Sequence, residues 1–414
     1  MAVTHGGQKA VSQIRPSLRL PRLLHPVDPV EFKRDYWEKK PLIVHREDPH
    51  YYTDPLTFHD VDQILSTSSV RSSELKVVVN GREIPLQEMT ASGPGGPANG
   101  LEVLYDLYRK GSTVVFKFLH ERWEPLGRLC RTLAAEFSAA FQANAYLTPA
   151  AAQGLTSHYD THDVFVLQIW GSKHWRLYDS PAELPLQSQP FRRTKEGPGN
   201  PVREFTLNAG DMMYLPRGTV HDATAQDQAS LHVTLGVQPV LWATVLKDAL
   251  DRAIESDPRY RSSLPPGFAL DPELRAGTVD RLGELLASVG SAVRPGDLID
   301  RAVSRANARR PPVLGGHLLD LEGLRTLAAD TRVRRRTELL WELSTDAHDT
   351  AKPLLTLEFH GKVLRLPARI AQELRFVLDA DAPFAARDIP GELGIEGKLV
   401  LVRRLMQEGL LTLA

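Results

Sequence analysis

The sequence predicts an α+β chain: a β unit of short strands, then a helical region, then a small mixed region at the C-terminus. Three observations predict it. Between Ala145 and Val237 turn residues recur often, and the runs between them are short, β-branched and aromatic, the pattern of a sandwich or barrel. After Pro239, Leu241, Val245, Leu246, Ala249, Leu250 and Ile254 fall at helical spacing, as do Val279, Leu282, Leu285, Leu286 and Val289. From about Pro353, strand-like Leu355–Phe359 and Val363–Leu366 precede helical stretches at Ile370–Leu378 and Leu399–Met406 and a last short run, Gly409–Leu413.

Taken in order, residues 1–24 read as a flexible basic arm, because Lys9, Arg15, Arg19 and Arg22 all precede the first acid, Asp28. A capped, helix-forming stretch from His25 to Leu65 places Phe32, Tyr36 and Trp37 on one face before the strand Leu42-Ile43-Val44. The strand-like runs Lys76–Val79 and Thr113–Phe116 flank Ala91–Pro97, whose glycine and proline content predicts a loop or lid. Further on, Arg309-Arg310-Pro311-Pro312 reads as a linker, and the arginine-rich run Arg332–Arg336 as a solvated helix face or linker. The expected domains are therefore 1–24, 25–238, 239–328 and 329–414, with no tandem repeat.

Composition narrows the function classes. A chain of 414 residues with 42% hydrophobic and 24% charged residues has the makeup of a globular protein with two or three domains. Fifty basic against 51 acidic side chains leave a net charge of −1, so no global field recruits nucleic acid or anionic membrane. The single cysteine, Cys130, excludes an intramolecular disulfide framework and any cysteine-rich metal site, and reads as a buried small hydrophobe. No run approaches the roughly 18 apolar residues of a membrane span. A cytoplasmic, soluble protein is expected.

The informative stretch is Ser157-His158-Tyr159-Asp160-Thr161-His162-Asp163. A His-x-Asp pair alone means little among 14 histidines, and His45-Arg46-Glu47 is a similar pair that reads as surface. The signal rises with a second segment, Gly210-Asp211-Met212-Met213-Tyr214-Leu215-Pro216-Arg217-Gly218-Thr219-Val220-His221, which has the spacing of the second cupin motif. Together His158, Asp160 and His221 make the two-histidine, one-carboxylate face that holds Fe(II) and leaves coordination sites open. His162, His174 and His232 read as supporting neighbours rather than ligands.

A basic residue is then wanted for the far carboxylate of an organic co-substrate, and Lys173 is the candidate. If Gly171-Ser172 is a two-residue hairpin turn, Lys173 lies opposite Trp170, which has the parity of His158 and Asp160. Parity puts Lys173 on the metal side. Along a straight strand, at about 3.3 Å per residue, Trp170 would still be too distant, so the chain has to bend or the barrel curl.

These segments carry a family resemblance. His158-Tyr159-Asp160, Phe165-Val166-Leu167-Gln168, Gly171-Ser172-Lys173-His174-Trp175-Arg176, Asn144–Pro149 and the early Tyr36-Trp37-Glu38-Lys39-Lys40-Pro41-Leu42 resemble the JmjC-domain ribosomal oxygenases of the cupin superfamily. The resemblance implies a double-stranded β-helix (a cupin/JmjC jelly roll), a helical dimerisation region and a C-terminal winged helix. It implies Fe(II)- and 2-oxoglutarate-dependent hydroxylation, by molecular oxygen, of an arginine or histidine in a ribosomal protein. His158, Asp160 and His221 match the iron ligands, Lys173 the lysine on the distal carboxylate, and Asn144 an asparagine of the co-substrate pocket. A serine usual in some relatives is here Gly236.

Two other functions stay open at this level: hydroxylation of a natural-product peptide or small molecule, and a non-catalytic cupin acting as a binding or regulatory module. Expected partners are a protein or peptide substrate and a second copy of the chain, with Leu241, Val245, Leu282 and Leu286 as candidate dimer contacts. Neither membrane nor direct nucleic-acid binding is expected.

Overall fold

The computed structural model describes residues 18–67, 74–79, 81–84, 92–93, 96–97, 100–193, 197–308, 314–336, 339, 341–346, 353–359 and 361–414. The chain divides into two units, one of residues up to 133 together with 141–238, the other of 134–140 with 239–414. No helix among the described residues is long and apolar enough to cross a membrane.

The first unit begins with three short helices, α1 (Leu20–Leu24), α2 (Pro29–Asp35) and α3 (Phe58–Thr67), and two more, α4 (Gly100–Arg109) and α5 (Glu124–Phe137), come later in the chain before β7. Helix α1 corrects the expectation of a free arm. Leu20, Leu23 and Leu24 are buried, because the Leu-x-x-Leu-Leu spacing gives even one helical turn an apolar face, with Pro21 early in the helix where a missing N–H costs nothing. Residues 1–17 lie outside the described residues. Helix α2 starts on Asp28, whose carboxylate accepts from the Val30 and Glu31 amides.

Thirteen strands follow one another through this unit: β1 (Leu42–Val44), β2 (Leu75–Val79), β3 (Arg82–Glu83), β4 (Ser92–Gly93), β5 (Gly96–Pro97), β6 (Thr113–Phe116), β7 (Ala140–Thr148), β8 (Asp163–Trp170), β9 (Ser172–Tyr178), β10 (Arg203–Asn208), β11 (Met212–Leu215), β12 (Val220–Ala225) and β13 (Ser230–Gln238). Eight make one sheet in the order β1-β11-β8-β13-β7-β6-β2-β3, and three make a second, β10-β9-β12. The sheets share a core in which Val164 and Val166 of β8 and Met213 and Leu215 of β11 meet Trp175 and Leu177 of β9 and Leu207 of β10. This two-sheet sandwich is the expected jelly roll. The Ala91–Pro97 loop is described only at β4 and β5, which pair as a two-residue ladder.

One expectation fails at Gly171. It does not close a hairpin, since β8 and β9 belong to different sheets; the chain crosses there from one layer of the sandwich to the other. Its φ of +63° is a left-handed value, and a Cβ would sit 2.0 Å from the Ala229 carbonyl oxygen. Only glycine makes this crossing.

In the second unit, helices α6 (Trp242–Ser256), α7 (Pro272–Ala292) and α8 (Pro295–Ala308) form the predicted helical region. Asp248, buried on α6, pairs with Arg301 at 3.0 Å and Arg305 at 2.8 Å on α8. Trp242, Leu246, Val279, Leu282 and Leu286 are exposed. The linker expected at Arg309–Pro312 lies outside the described residues.

Beyond it stand α9 (His317–Gly323), β14 (Arg332–Arg335), β15 (Trp341–Asp346), β16 (Leu354–Phe359), β17 (Lys362–Pro367), α10 (Ala371–Asp379), β18 (Phe384–Ala385), α11 (Ile395–Gln407) and β19 (Leu411–Leu413). Leu357, Leu374, Val377, Leu405, Met406 and Leu410 anchor its core. The arginine run is a strand rather than a helix face or linker. Val333 points in while Arg332 and Arg334 point out, and Arg336 is buried against Asp320 at 2.5 Å; alternation of apolar and charged residues at period two overrides the charge count.

Candidate metal centre

His221 is the second residue of β12, and a segment carrying His158 runs antiparallel beside it. The two histidines exchange both backbone hydrogen bonds, His158 N to His221 O at 3.1 Å and His221 N to His158 O at 2.8 Å. Directly opposed residues share a face of the ladder, so both rings project to the same side. Each Nδ1 lies beside the carbonyl two residues before it, Thr156 O at 2.8 Å for His158 and Thr219 O at 2.9 Å for His221. Donation from Nδ1–H to those carbonyls fixes the tautomer and leaves each Nε2 lone pair free.

Asp160 completes the group. Its carbonyl accepts from the Gly218 amide at 3.0 Å, so the turn before His221 also holds the Asp160 segment. Ligand atoms of His158, Asp160 and His221 all lie within 4.8 Å of one another. Burial, helped by the neighbouring His158, pushes His221 down to about 4; at neutral pH it is an uncharged donor. Two neutral-capable imidazoles and one carboxylate gathered on one side fit a divalent first-row metal with open positions, and no fourth His, Cys, Asp or Glu joins the cluster among the described residues.

The pocket beside this group is lined by Thr113, Tyr146, Lys173, Trp175, His232 and Thr234, among others. Lys173 is only 4% exposed, and burial alone lowers it to about 7. Its Nζ donates to Thr148 Oγ1 at 3.0 Å, and that hydroxyl also meets Thr113 Oγ1 at 3.1 Å. The register explains how it comes to share the site: in the β9–β12 ladder His221 faces Leu177, Ala223 faces Trp175 and Ala225 faces Lys173. Lys173 thus reaches the metal side across one short ladder, which removes the distance objection. Trp170 is not on that side; it is 50% exposed and lies 5.8 Å from Phe58.

Asn144 sits on the same face of β7 as Tyr146 by alternation. Its Oδ1 accepts from the Phe118 amide at 2.9 Å, and its side chain also hydrogen-bonds Tyr146. His174 is turned outward to Glu204, 3.0 Å away. Cys130 is buried, its thiol pushed up to about 12 by burial, as expected of a core residue.

Several residues of the site carry no motif. His232 is 3% exposed, stacks on Tyr146 at 4.7 Å and 3°, and is held well below its ordinary pKa by burial first and then by Lys173. Period-two alternation along β7 and β13 would find Tyr146, Thr148, His232 and Thr234 once one inward residue on each strand is known. Asp163 was also missed as a hub. Its carboxylate takes the Tyr214 hydroxyl at 2.8 Å and Arg217 at 2.9 Å; Arg217 also binds Glu38, whose amide donates to Tyr214 at 2.9 Å. Three separate sequence motifs close on one another there.

Comparison with known proteins agrees with this geometry. Residues 117–245 match the JmjC domain family. The chain is 30% identical over 286 residues to mouse (Mus musculus) ribosomal oxygenase 2, covering 66% of this chain and 60% of that protein. It is 32% identical over 251 residues to the bifunctional lysine-specific demethylase and histidyl-hydroxylase NO66 of Aedes aegypti, covering 59% and 39%. It therefore spans less than two thirds of the length of these relatives. Among solved structures, E. coli ycfD shares the fold with a TM-score of 0.53 and 15% identity, over 94% of this chain and 98% of that one. The jelly roll, the motifs it brings together and these matches agree: residues 117–245 match the JmjC domain, and the chain is similar to ribosomal oxygenases.

Proposed function

We propose that this protein is an Fe(II)- and 2-oxoglutarate-dependent oxygenase that hydroxylates a side chain of a protein, with a ribosomal protein as the substrate its relatives' names support. One observation carries the reading: an open two-histidine, one-carboxylate donor set shares its pocket with a buried lysine that has no acidic partner among the described residues. His158, Asp160 and His221 hold the metal. Lys173, steadied by the Thr148 hydroxyl, takes the far carboxylate of 2-oxoglutarate; a dianion entering there supplies the counter-charge that burial denies the ammonium. Bound Fe(II) with 2-oxoglutarate and oxygen supplies the oxidising power for C–H hydroxylation, the co-substrate leaving as succinate and carbon dioxide.

The chain's own part is positioning. The Thr156 and Thr219 carbonyls orient the imidazoles, Trp175 and the Tyr146–His232 stack wall the co-substrate chamber against water, and Asn144 braces Tyr146 from the rim. Residues 239–328 act as a dimerisation region, which the exposed Leu282 and Leu286 support. Residues 329–414 form a winged-helix-like domain, and the cytoplasm is the compartment that suits the lone buried thiol. A purely binding module would need neither the donor set nor the buried lysine.

Anaerobic reconstitution with Fe(II) and 2-oxoglutarate tests the reading. A visible metal-to-ligand charge-transfer band, succinate on admitting oxygen, and loss of both in His221→Ala are expected. Folded, metal-loaded protein with no band and no succinate would overturn it.

A further inference from the structure

The stretch around β1 holds the second motif from Gly210 to Arg217. At one end Arg46 donates to the Gly210 carbonyl at 3.1 Å, and its amide donates to the Asp211 carboxylate at 2.7 Å. In the middle β1 pairs with β11, Val44 opposite Met212, Ile43 opposite Met213 and Leu42 opposite Tyr214. Trp37 stacks on the Tyr214 ring at 5.7 Å. At the other end Glu38 accepts from Arg217 Nη1, so an early segment of the chain reaches to within four residues of His221.

Glu38 makes this contact from an unusual backbone. Its φ is +56°, a left-handed value that glycine adopts more readily than a residue with a Cβ. A non-glycine residue keeps such a conformation only where its surroundings impose it, and here both of its polar groups are committed to one motif. The carboxylate binds Arg217, and the amide donates to the Tyr214 hydroxyl at 2.9 Å.

What Glu38 holds is the turn that serves the metal group. Arg217 lies within Pro216–Thr219, closed by the Thr219 amide on the Pro216 carbonyl at 3.2 Å. The two residues after Arg217 each act on a donor: the Gly218 amide donates to the Asp160 carbonyl at 3.0 Å, and the Thr219 carbonyl lies 2.9 Å from His221 Nδ1. Asp163 braces the turn through Arg217 at 2.9 Å, and Ser180 through the Gly218 carbonyl. Glu38 is the brace that comes from the N-terminal segment.

We infer that Glu38 is a positioning residue for the metal centre: through Arg217 it fixes the Pro216–Thr219 turn, and with it the Asp160 and His221 donors. The inference rests on the metal-centre reading above, and its test separates the two. Glu38→Gly removes the carboxylate together with the Cβ that makes a left-handed φ costly, so stability in urea unfolding is expected to hold while the turn loses its brace. Co(II) binding, followed by isothermal titration and visible d–d absorption, should weaken about tenfold, the lower end of what removing a group that supports a ligand costs. In zinc-loaded protein the His221 Nδ1 proton, seen by NMR, should exchange faster with solvent. Glu47→Gln, which removes a charge from an exposed position on the same segment, leaves the affinity unchanged. Co(II) affinity of Glu38→Gly within twofold of wild type, an affinity that falls only in step with stability, an unaltered His221 proton, or an equal loss in Glu47→Gln would each overturn the inference. Should Glu38→Gly fail to fold, Glu38→Gln, which keeps the length and one acceptor oxygen, decides by the same readouts with a smaller loss. If the wild type binds no Co(II), or His221→Ala binds it as the wild type does, the metal-centre reading falls; if binding is lost in His221→Ala and unaltered in Glu38→Gly, only the role of Glu38 falls.

Discussion

Arg217 and Asp163 form an ion pair at 2.9 Å in which both side chains are nearly inaccessible. Asp163 lies three residues after Asp160 and Arg217 four before His221, so this pair clamps the two ligand-bearing segments together. Burial is the largest influence on Asp163 and raises its pKa, with Tyr214 and Arg217 opposing. Removing Asp163 would leave the Arg217 guanidinium with Glu38 alone and the buried Tyr214 hydroxyl without its acceptor. Asp163→Ala should cost about 3–5 kcal/mol of stability, measured by urea unfolding, and should also weaken metal binding, because Tyr214 and the turn before His221 lose their common acceptor. Stability within about 0.5 kcal/mol of wild type, the range of ordinary surface substitutions, would show that the clamp carries no strain-bearing role.

On the proposed donor set, His221→Ala should lower Co(II) or Zn(II) affinity by more than the about 10- to 100-fold that loss of an outer hydrogen-bonding partner costs. His162→Ala and His174→Ala should retain metal binding, since neither ring belongs to the donor set. Isothermal titration with each metal separates the cases, and equal losses across all three variants would contradict the assignment of ligands.

How much of this was legible in the sequence follows from where each residue's signal resides. His158, Asp160 and His221 sit in two local segments whose spacing is itself the evidence, so they could be named without knowing the fold. Lys173 was reached by a sound parity argument built on a wrong turn: a Gly-Ser pair between two strands reads the same whether the chain folds back within one sheet or crosses to the facing one. Only the pairing of β9 with β12 tells them apart. Thr148, Tyr146 and His232 had no local signal at all, since their inward direction depends on strand neighbours far away in the chain. Helix α1 was hidden by its charges: four scattered basic residues suggested an arm, while Leu20, Leu23 and Leu24 carried the information that mattered.

The exposed apolar face of the helical region yields a test of assembly. Leu282 and Leu286, four residues apart on α7, are 55% and 63% exposed, and burying such side chains contributes roughly 1.5–3 kcal/mol each. If they are dimer contacts, wild-type protein runs as a dimer in light scattering at micromolar concentration, and the double variant Leu282→Asp/Leu286→Asp runs as a folded monomer. A wild-type monomer under those conditions would sink the dimer expectation.

Co-substrate affinity should depend on pH through Lys173. Burial lowers its pKa to about 7 in the free protein, and in the proposed complex the distal carboxylate of 2-oxoglutarate would meet the charged ammonium. Below pH 7 the lysine is already protonated and binding is tightest. Above pH 7 each bound molecule must bring a proton with it, so Kd rises about tenfold per pH unit until the pKa of the complex is reached. Lys173→Met removes the charge while keeping an unbranched side chain: the pH dependence flattens, affinity at pH 6 falls by about 10- to 100-fold, the worth of a charge-assisted hydrogen bond, and thermal stability holds or rises because an unpaired buried cation is gone. Calorimetry across pH 6–9 reads all of this; a flat wild-type profile, or an unaltered slope in Lys173→Met, would assign the carboxylate to another group.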